Sequence, residues 1–415
     1  MAGAPIVPVL DGRLSGATAQ QPHGIGEKLL DEIERRACRY FYEMADPNTG
    51  LVRDRATANE PYAPSAASIA ATGFGLSALA IGAKRGYLDA ALAQARTRIT
   101  LKFLCDRAEQ EHGFFYHFMD SDSGKRIWKS EVSSVDTGWV LCGALHSGAA
   151  WNDPEIRKLS TELLNRTDWE WMLNGSRTLC HGWTPEGGFL QYRWDSYSEG
   201  LAMYLLAIGS DTHPIPASSW NAFKRPMRAF EGIFFIDARA PLFVHQYSHA
   251  WFDFRNRRDR YANYFNNSIR ATQAHELFCL SYSHKYPWYR EDMWGVTASD
   301  SRTGYRVWCS PSSPPDGTLV PCAAGGSLVF MPIDCGTVLE NMFDRYGDKV
   351  WSKYGFIDAF NPGQRWYSRY TLGIDQGIVL LMAENMRSAS VWTAVMSTPQ
   401  ARRAFEWVGL QPYAS

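Results

Sequence analysis

The sequence predicts an all-α protein, an (α/α) toroid of inner and outer helices with long aromatic loops and minor β-hairpins. Three observations predict it. Segments that are apolar all round alternate along the chain with amphipathic ones, the pattern of a buried helix followed by a half-exposed one. Roughly eleven to twelve helical segments can be counted, with little strand between them. The 415 residues contain no near-identical repeat, which excludes a solenoid and suits one large closed domain.

Taken in order, residues 1–23 read as a flexible N-terminal tail and 24–415 as a single domain. A helix from Gly24 is predicted by the apolar spacing of Leu29, Leu30, Ile33, Ala37 and Phe41, and Asp46, Pro47, Asn48 and Gly50 stop it. Ser65 is the expected cap of the next helix, rich in Ala, Gly and Ser and ended by Gly86. Residues 88–107 form an outer helix, and 111–124 an aromatic turn region. A second apolar helix follows Glu131 and is entered through Asp136; 153–173 is amphipathic again.

The stretch 181–210 carries Trp183, Phe189, Tyr192, Trp194 and Tyr197 and then a third apolar helix, Leu201–Ile208, with Glu199 at the junction. Residues 214–230 are read as amphipathic, 232–247 as a short hairpin and 257–280 as a long polar-faced helix. Residues 288–330 are irregular, and a loop of that length inside a domain is usually functional. Pro332–Tyr346 is helical with Asp334 as its cap. After an aromatic loop at 361–370, 374–387 is the fourth apolar helix, opening at Asp375, and 398–408 closes the chain.

The totals narrow the function. A net charge of -1 offers no basic footprint for nucleic acid. No run of 18 apolar residues occurs, so no membrane span is expected. The eight cysteines form no CxxC pair, so neither zinc nor redox chemistry is signalled. Cys142 and Cys279 lie in apolar helical runs and read as buried thiols, while Cys309 and Cys322 flank a loop and are candidates for pairing. No signal peptide is visible at the N-terminus. The 16 tryptophans exceed what core packing usually demands, and flat apolar rings stack on the C–H faces of sugars.

Three apolar helices begin with an acid: Asp136, Glu199 and Asp375, with Glu131 a turn or so before Asp136. If the inner helices share a direction, these acids converge on one opening, walled by the aromatics at 183, 189, 192, 194 and 197. Glycoside hydrolysis needs two carboxyls, one to donate a proton and one to activate water or attack. A helix N-terminus favours the ionised form, which suits a base. An acid needs its pKa raised by desolvation or by a neighbouring charge. Glu199 follows Trp194 and Tyr197, the more apolar setting, and is assigned the acid. Asp375 and Asp136 remain rival bases.

Eight blocks in order carry a family resemblance: GLVRDRATANEPYAPSAASIAATGFGLSALAIGAKRGYL, HGFFYHFMDSDSGKR, SSVDTG, YSEGLAMYLLAIGSDTHP, HQYSHAWFDFR, WGVTASDSRTGYR, YGFIDAFNP and LGIDQGIVLLMAEN. Together they resemble the bacterial glucoamylase-like family, including the endo-β-1,2-glucanases and sophorose-releasing enzymes of glycoside hydrolase family 144. The resemblance implies an (α/α)6 barrel. It implies hydrolysis of linear or cyclic β-1,2-glucan with inversion, without metal or cofactor, often in the periplasm or after secretion; a monomer is expected. It places the acid at Glu199 and an essential carboxylate at Asp375, with Asp136 and Glu131 matched less securely. Gln246, His249 and Arg255 would line the sugar groove, with Trp294 and Asp300 as similar candidates. A transglycosylase on the same glucan and a catalytically silent glucan-binding protein are the rival functions.

Overall fold

Small side chains decide how the interior is built. The helix Ile69–Arg85 (IAATGFGLSALAIGAKR) is buried from Ile69 to Gly82 because Ala, Gly and Ser leave it no bulky face. A second apolar helix, Ser134–Ala150, approaches it to backbone contact. A Cβ added at Gly73 would lie 2.3 Å from the Trp139 carbonyl oxygen, and one at Gly143 would lie 2.1 Å from the Gly73 oxygen. On the other side of Ile69–Arg85 packs Gly373–Ser388, where a Cβ on Gly377 would meet the Phe74 ring at 2.3 Å. Leu201–Ile208, buried at every residue, packs on Ser134–Ala150. The computed structural model describes residues 24–58 and 65–413, so the expected tail at 1–23 lies outside the described residues.

Four further helices cover these four. Glu27–Glu43 lies on Ile69–Arg85 and Gly373–Ser388; Ala90–Asp106 lies on Ile69–Arg85; Pro154–Arg166 lies on Ser134–Ala150; Pro399–Val408 lies on Leu201–Ile208. Each buries one stripe and leaves the rest to water, as amphipathic spacing requires. The architecture is helix-rich, with a nearly continuous apolar core under both sets of helices. Among the described residues, no helix is long and apolar enough to cross a membrane.

Short ribbons feed the inner helices. Ala66–Ser68 pairs antiparallel with Phe118–Asp120 and runs into Ile69–Arg85. Val132–Ser133 pairs with Gly182–Thr184, itself paired with Gly188–Phe189, and runs into Ser134–Ala150. Tyr370–Leu372 pairs with Arg55–Thr57 and runs into Gly373–Ser388. Ser68 accepts from the Ala71 N–H and Ser133 from the Asp136 N–H, each satisfying one free donor of a first turn. The cap is therefore Ser68, not Ser65, because the ribbon occupies the intervening residues.

Other expectations need correction. Residues 214–230 are a 3-10 turn, Ala217–Asn221, followed by the strand Met227–Phe230, which pairs with Ile233–Ile236. The hairpin expected over 232–247 thus uses only its first residues; the rest forms the 3-10 turns Leu242–His245 and Tyr247–Ala250. The helix expected from 257 starts at Tyr264, where Asn263 accepts from the Asn266 N–H. Asp334 sits in the first turn of Pro332–Tyr346 without acting as its cap, a position that falls to Met331. Cys309 and Cys322 do not pair, and all eight thiols are free.

The glycine contacts give a stability test. On an exposed helix, Gly to Ala gains about 1 kcal/mol. Gly143→Ala reverses that sign here, because its methyl group meets backbone rather than a movable side chain. Overpacking of this kind costs about 1–3 kcal/mol. Denaturant unfolding should show the midpoint fall; a rise would mean that the helices have room to part.

Candidate active site

The ends that the ribbons feed converge. Ala70, Asp136, Glu199 and Asp375, from the starts of the four inner helices, share the wall of one cavity of about 220 Å³. Asp136 lies in the first turn of Ser134–Ala150 and Asp375 in that of Gly373–Ser388. Glu199 lies in the turn before Leu201–Ile208, outside the helix. Gly200 gives that helix no side-chain cap. Ser248 supplies one from another segment: its Oγ accepts from the Ala202 N–H at 2.9 Å and donates to the Glu199 carbonyl. The acid is thereby held by its backbone while its carboxyl is left for the cavity.

Burial, helped by the Asp136 charge and opposed by a hydrogen bond from its own backbone, raises the Glu199 carboxyl to about 7. A carboxyl so placed keeps its proton near neutrality. Asp136 accepts from Ser133 Oγ at 2.5 Å. Its Oδ2 also stands 3.8 Å from Nε2 of His117, whose Nδ1 is 3.0 Å from Glu131 Oε1. Burial would lower His117, but the Asp136 charge and the Glu131 hydrogen bond raise it to about 9. The imidazolium thus lies between two carboxylates. Glu131, expected at the mouth itself, is one residue behind it: His117 lines the cavity and Glu131 does not.

Asp375 faces a partner the sequence reading missed. Asp358 is buried beside it, and the two carboxyls hydrogen-bond one another, both raised above the usual carboxylate range chiefly by burial. Asp358 Oδ1 and Asp375 Oδ2 meet no other donor. Two carboxyls so placed share one proton and one negative charge, since both cannot ionise at close range. The Cys322 thiol also hydrogen-bonds Asp375, and the Asp300 N–H donates to Asp358 Oδ2 at 2.8 Å. Asp300 therefore serves the pair rather than the cavity wall.

The expected aromatic walls are elsewhere. Trp194 is 9% exposed, stacked on His181 with centroids 3.9 Å apart, and bonded through Nε1 to Ser134. Tyr197 is fully buried against His245. Trp183 and Phe189 pack on Trp171, and Tyr192 points to solvent. Trp139, Phe243, Tyr247 and Tyr305 wall the cavity instead.

The other groove candidates divide similarly. Gln246 reaches the cavity but commits its Nε2 to the Ala323 carbonyl and Ser327. His249 is a core residue beside Ser268, lowered by burial to about 3. Trp294 is fully buried against His275. Arg255 is on the surface, paired with Asp253 and lying over Trp392. A buried polar side chain needs a partner inside the protein, which is why the motif HQYSHAWFDFR holds the wall from behind. Two signals were available for the missed residues: Asp358 is an acid in an apolar run, and His117 sits in a dense aromatic block.

Comparisons with known proteins place this site in a family. Residues 191–399 match the glycoamylase family model, described as "Putative glucoamylase". An exo β-1,2-glucooligosaccharide sophorohydrolase acting at the non-reducing end, from Parabacteroides distasonis, is 27% identical over 92% of this chain. The chain spans 57% of that relative's length. An endo-β-1,2-glucanase from Chitinophaga pinensis, solved with sophorotriose and glucose, superposes with a TM-score of 0.87 at 26% identity, covering 93% of this chain and 98% of that one. A β-1,2-glucanase from P. distasonis gives 0.86 at 26% identity, covering 92% and 60%. With the family model spanning half its length, across Glu199 and Asp375, this chain belongs to the glucoamylase-like family.

Proposed function

We propose that this chain is an inverting glycoside hydrolase of β-1,2-glucans, releasing short β-1,2-gluco-oligosaccharides such as sophorose, with its helices arranged as an (α/α)6 toroid. The observation that carries the reading is Glu199, whose burial favours the protonated carboxyl, facing one cavity with Asp375, which Asp358 backs from outside the wall, on a chain similar to β-1,2-glucan hydrolases. Glu199 donates its proton to the glycosidic oxygen as the bond to the anomeric carbon breaks. The ionised member of the Asp375–Asp358 pair takes a proton from the water that attacks the opposite face.

The division of labour follows from which groups act on the acid. Inverting enzymes separate acid and base by about 6.5–9.5 Å to admit a water. Asp136 raises Glu199 by its charge, whereas Asp375 faces the same cavity from a separate helix and pairs with Asp358. Asp136 therefore suits tuning of the acid, and Asp375 suits the base. The proposal includes a periplasmic or secreted location, tested by cell fractionation, and a monomer, tested by light scattering.

Glu199→Gln should lower release of reducing ends from β-1,2-glucan by about 10²–10⁴-fold with the fold intact by circular dichroism. Near-normal turnover would remove Glu199 from the acid role. NMR of the first products should show the α-anomer from a β-linkage; retention would favour a transglycosylase.

The pH profile tests Asp136. Glu199 is active protonated, so kcat/KM should fall as pH rises through about 7. Asp136→Asn removes a negative charge that holds the proton on Glu199. Its alkaline limb should shift to lower pH; an unmoved or higher limb would show that Asp136 does not tune the acid.

A further inference from the structure

We propose that Trp128 is an outer sugar-stacking platform, a subsite for a glucosyl unit of the oligosaccharide as it leaves the catalytic cavity. The inference rests on the hydrolase reading for the identity of the sugar. Trp128 is 70% exposed, more than any other large apolar side chain described. Covering the core therefore does not explain it. Its backbone has φ +54°, and Lys129 follows at +52°, a left-handed pair that bulky side chains seldom adopt. Such conformations persist only where surrounding contacts impose them.

Arg126 imposes it. Its guanidinium donates to the Lys129 carbonyl at 2.7 Å and to the Ser130 carbonyl at 2.5 Å, and grips Glu186 with two further bonds of 2.7 and 3.0 Å. Glu186 lies in the turn between Gly182–Thr184 and Gly188–Phe189, in the ribbon that leads to Asp136. The Trp128 loop is therefore fastened to the element that carries a cavity acid.

The rings connect the two places. His117 lines the cavity, and Phe118 stacks on it with centroids 4.0 Å apart and planes 18° from parallel. Trp128 comes next, 5.2 Å from Phe118. Cavity wall, Phe118 and Trp128 form one ridge from the interior to solvent. A rigid, exposed indole at the end of such a ridge offers a preorganised apolar face, and the ligand that suits it is neutral, with flat C–H faces, as a glucosyl ring is.

The platform lies two rings beyond His117, so only longer chains reach it. Trp128→Ala and Trp128→Phe would be assayed on β-1,2-gluco-oligosaccharides of graded length. For Trp128→Ala, KM should rise about tenfold on long substrates, with kcat and the shortest cleaved substrate unchanged; Trp128→Phe should recover most of the loss. Equal loss at every length would mean that Trp128 acts through Phe118 and His117, and no loss at any length would mean that it binds nothing; either overturns the proposal. Intrinsic fluorescence of the Glu199→Gln protein gives a reading independent of turnover. Long β-1,2-glucan should change its emission by more than the shortest cleaved substrate does, and adding Trp128→Ala should remove that excess. A wild type that cleaves no β-1,2-glucan would sink the hydrolase reading, whereas a Trp128-dependent emission change would still uphold the platform.

Discussion

The constraint on which the rest depends is the backbone contact between Ile69–Arg85 and Ser134–Ala150 at Gly73 and Gly143. Interior packing at near-crystalline density leaves little freedom once two helices touch main chain to main chain. Gly377, against Phe74, brings Gly373–Ser388 into the same group. With these axes drawn together, the helix starts are drawn together too. Ala70, Asp136 and Asp375 share a cavity because the backbones behind them leave no room for more than a hydrogen atom at the crossing points.

Crowding acids into about 220 Å³ has an electrostatic cost that the chain meets in three different ways. Glu199 keeps its proton. Asp375 and Asp358 share one. Asp136 and Glu131 stand beside His117, which burial alone would neutralise and which they hold positive. The cavity wall and the layer behind it thus hold a proton donor, a carboxyl pair sharing one proton and a histidine kept positive by its acidic neighbours. Displaced pKa values cluster where chemistry is done, and here the displacement traces back to helix packing.

The inner helices were legible because hydrophobicity on every face has one reading in a chain without a membrane-length run. Pro332–Tyr346 and Leu201–Ile208 stand where their patterns put them. The acids were legible for a related reason: a carboxyl at the start of a buried helix stands out against its surroundings. The ribbons that feed the helices were not legible. Strands of two or three residues are too short for alternation to register, and their partners lie far along the chain, as Arg55–Thr57 does from Tyr370–Leu372. Asp358 and His117 were missed because their importance lies in a neighbour brought by folding rather than in a spacing.

The aromatics teach the opposite lesson. A tryptophan-rich stretch beside Glu199 suggested sugar platforms, yet Trp194 and Tyr197 are buried in the core. Their indole and phenol groups hydrogen-bond Ser134 and His245, as buried amphipathic rings do. Density of aromatics in sequence therefore marks where a wall must be stiff. The rings that face the cavity come from unremarkable places: Trp139 from within an apolar helix, Phe243 and Tyr247 from 3-10 turns, Tyr305 from a hairpin. A ring available to a sugar must lack a protein partner on one face, a property of the fold that composition does not record. On that criterion Trp128, alone in its loop and held open by Arg126, is better suited to meet a substrate than the five aromatics grouped before Glu199.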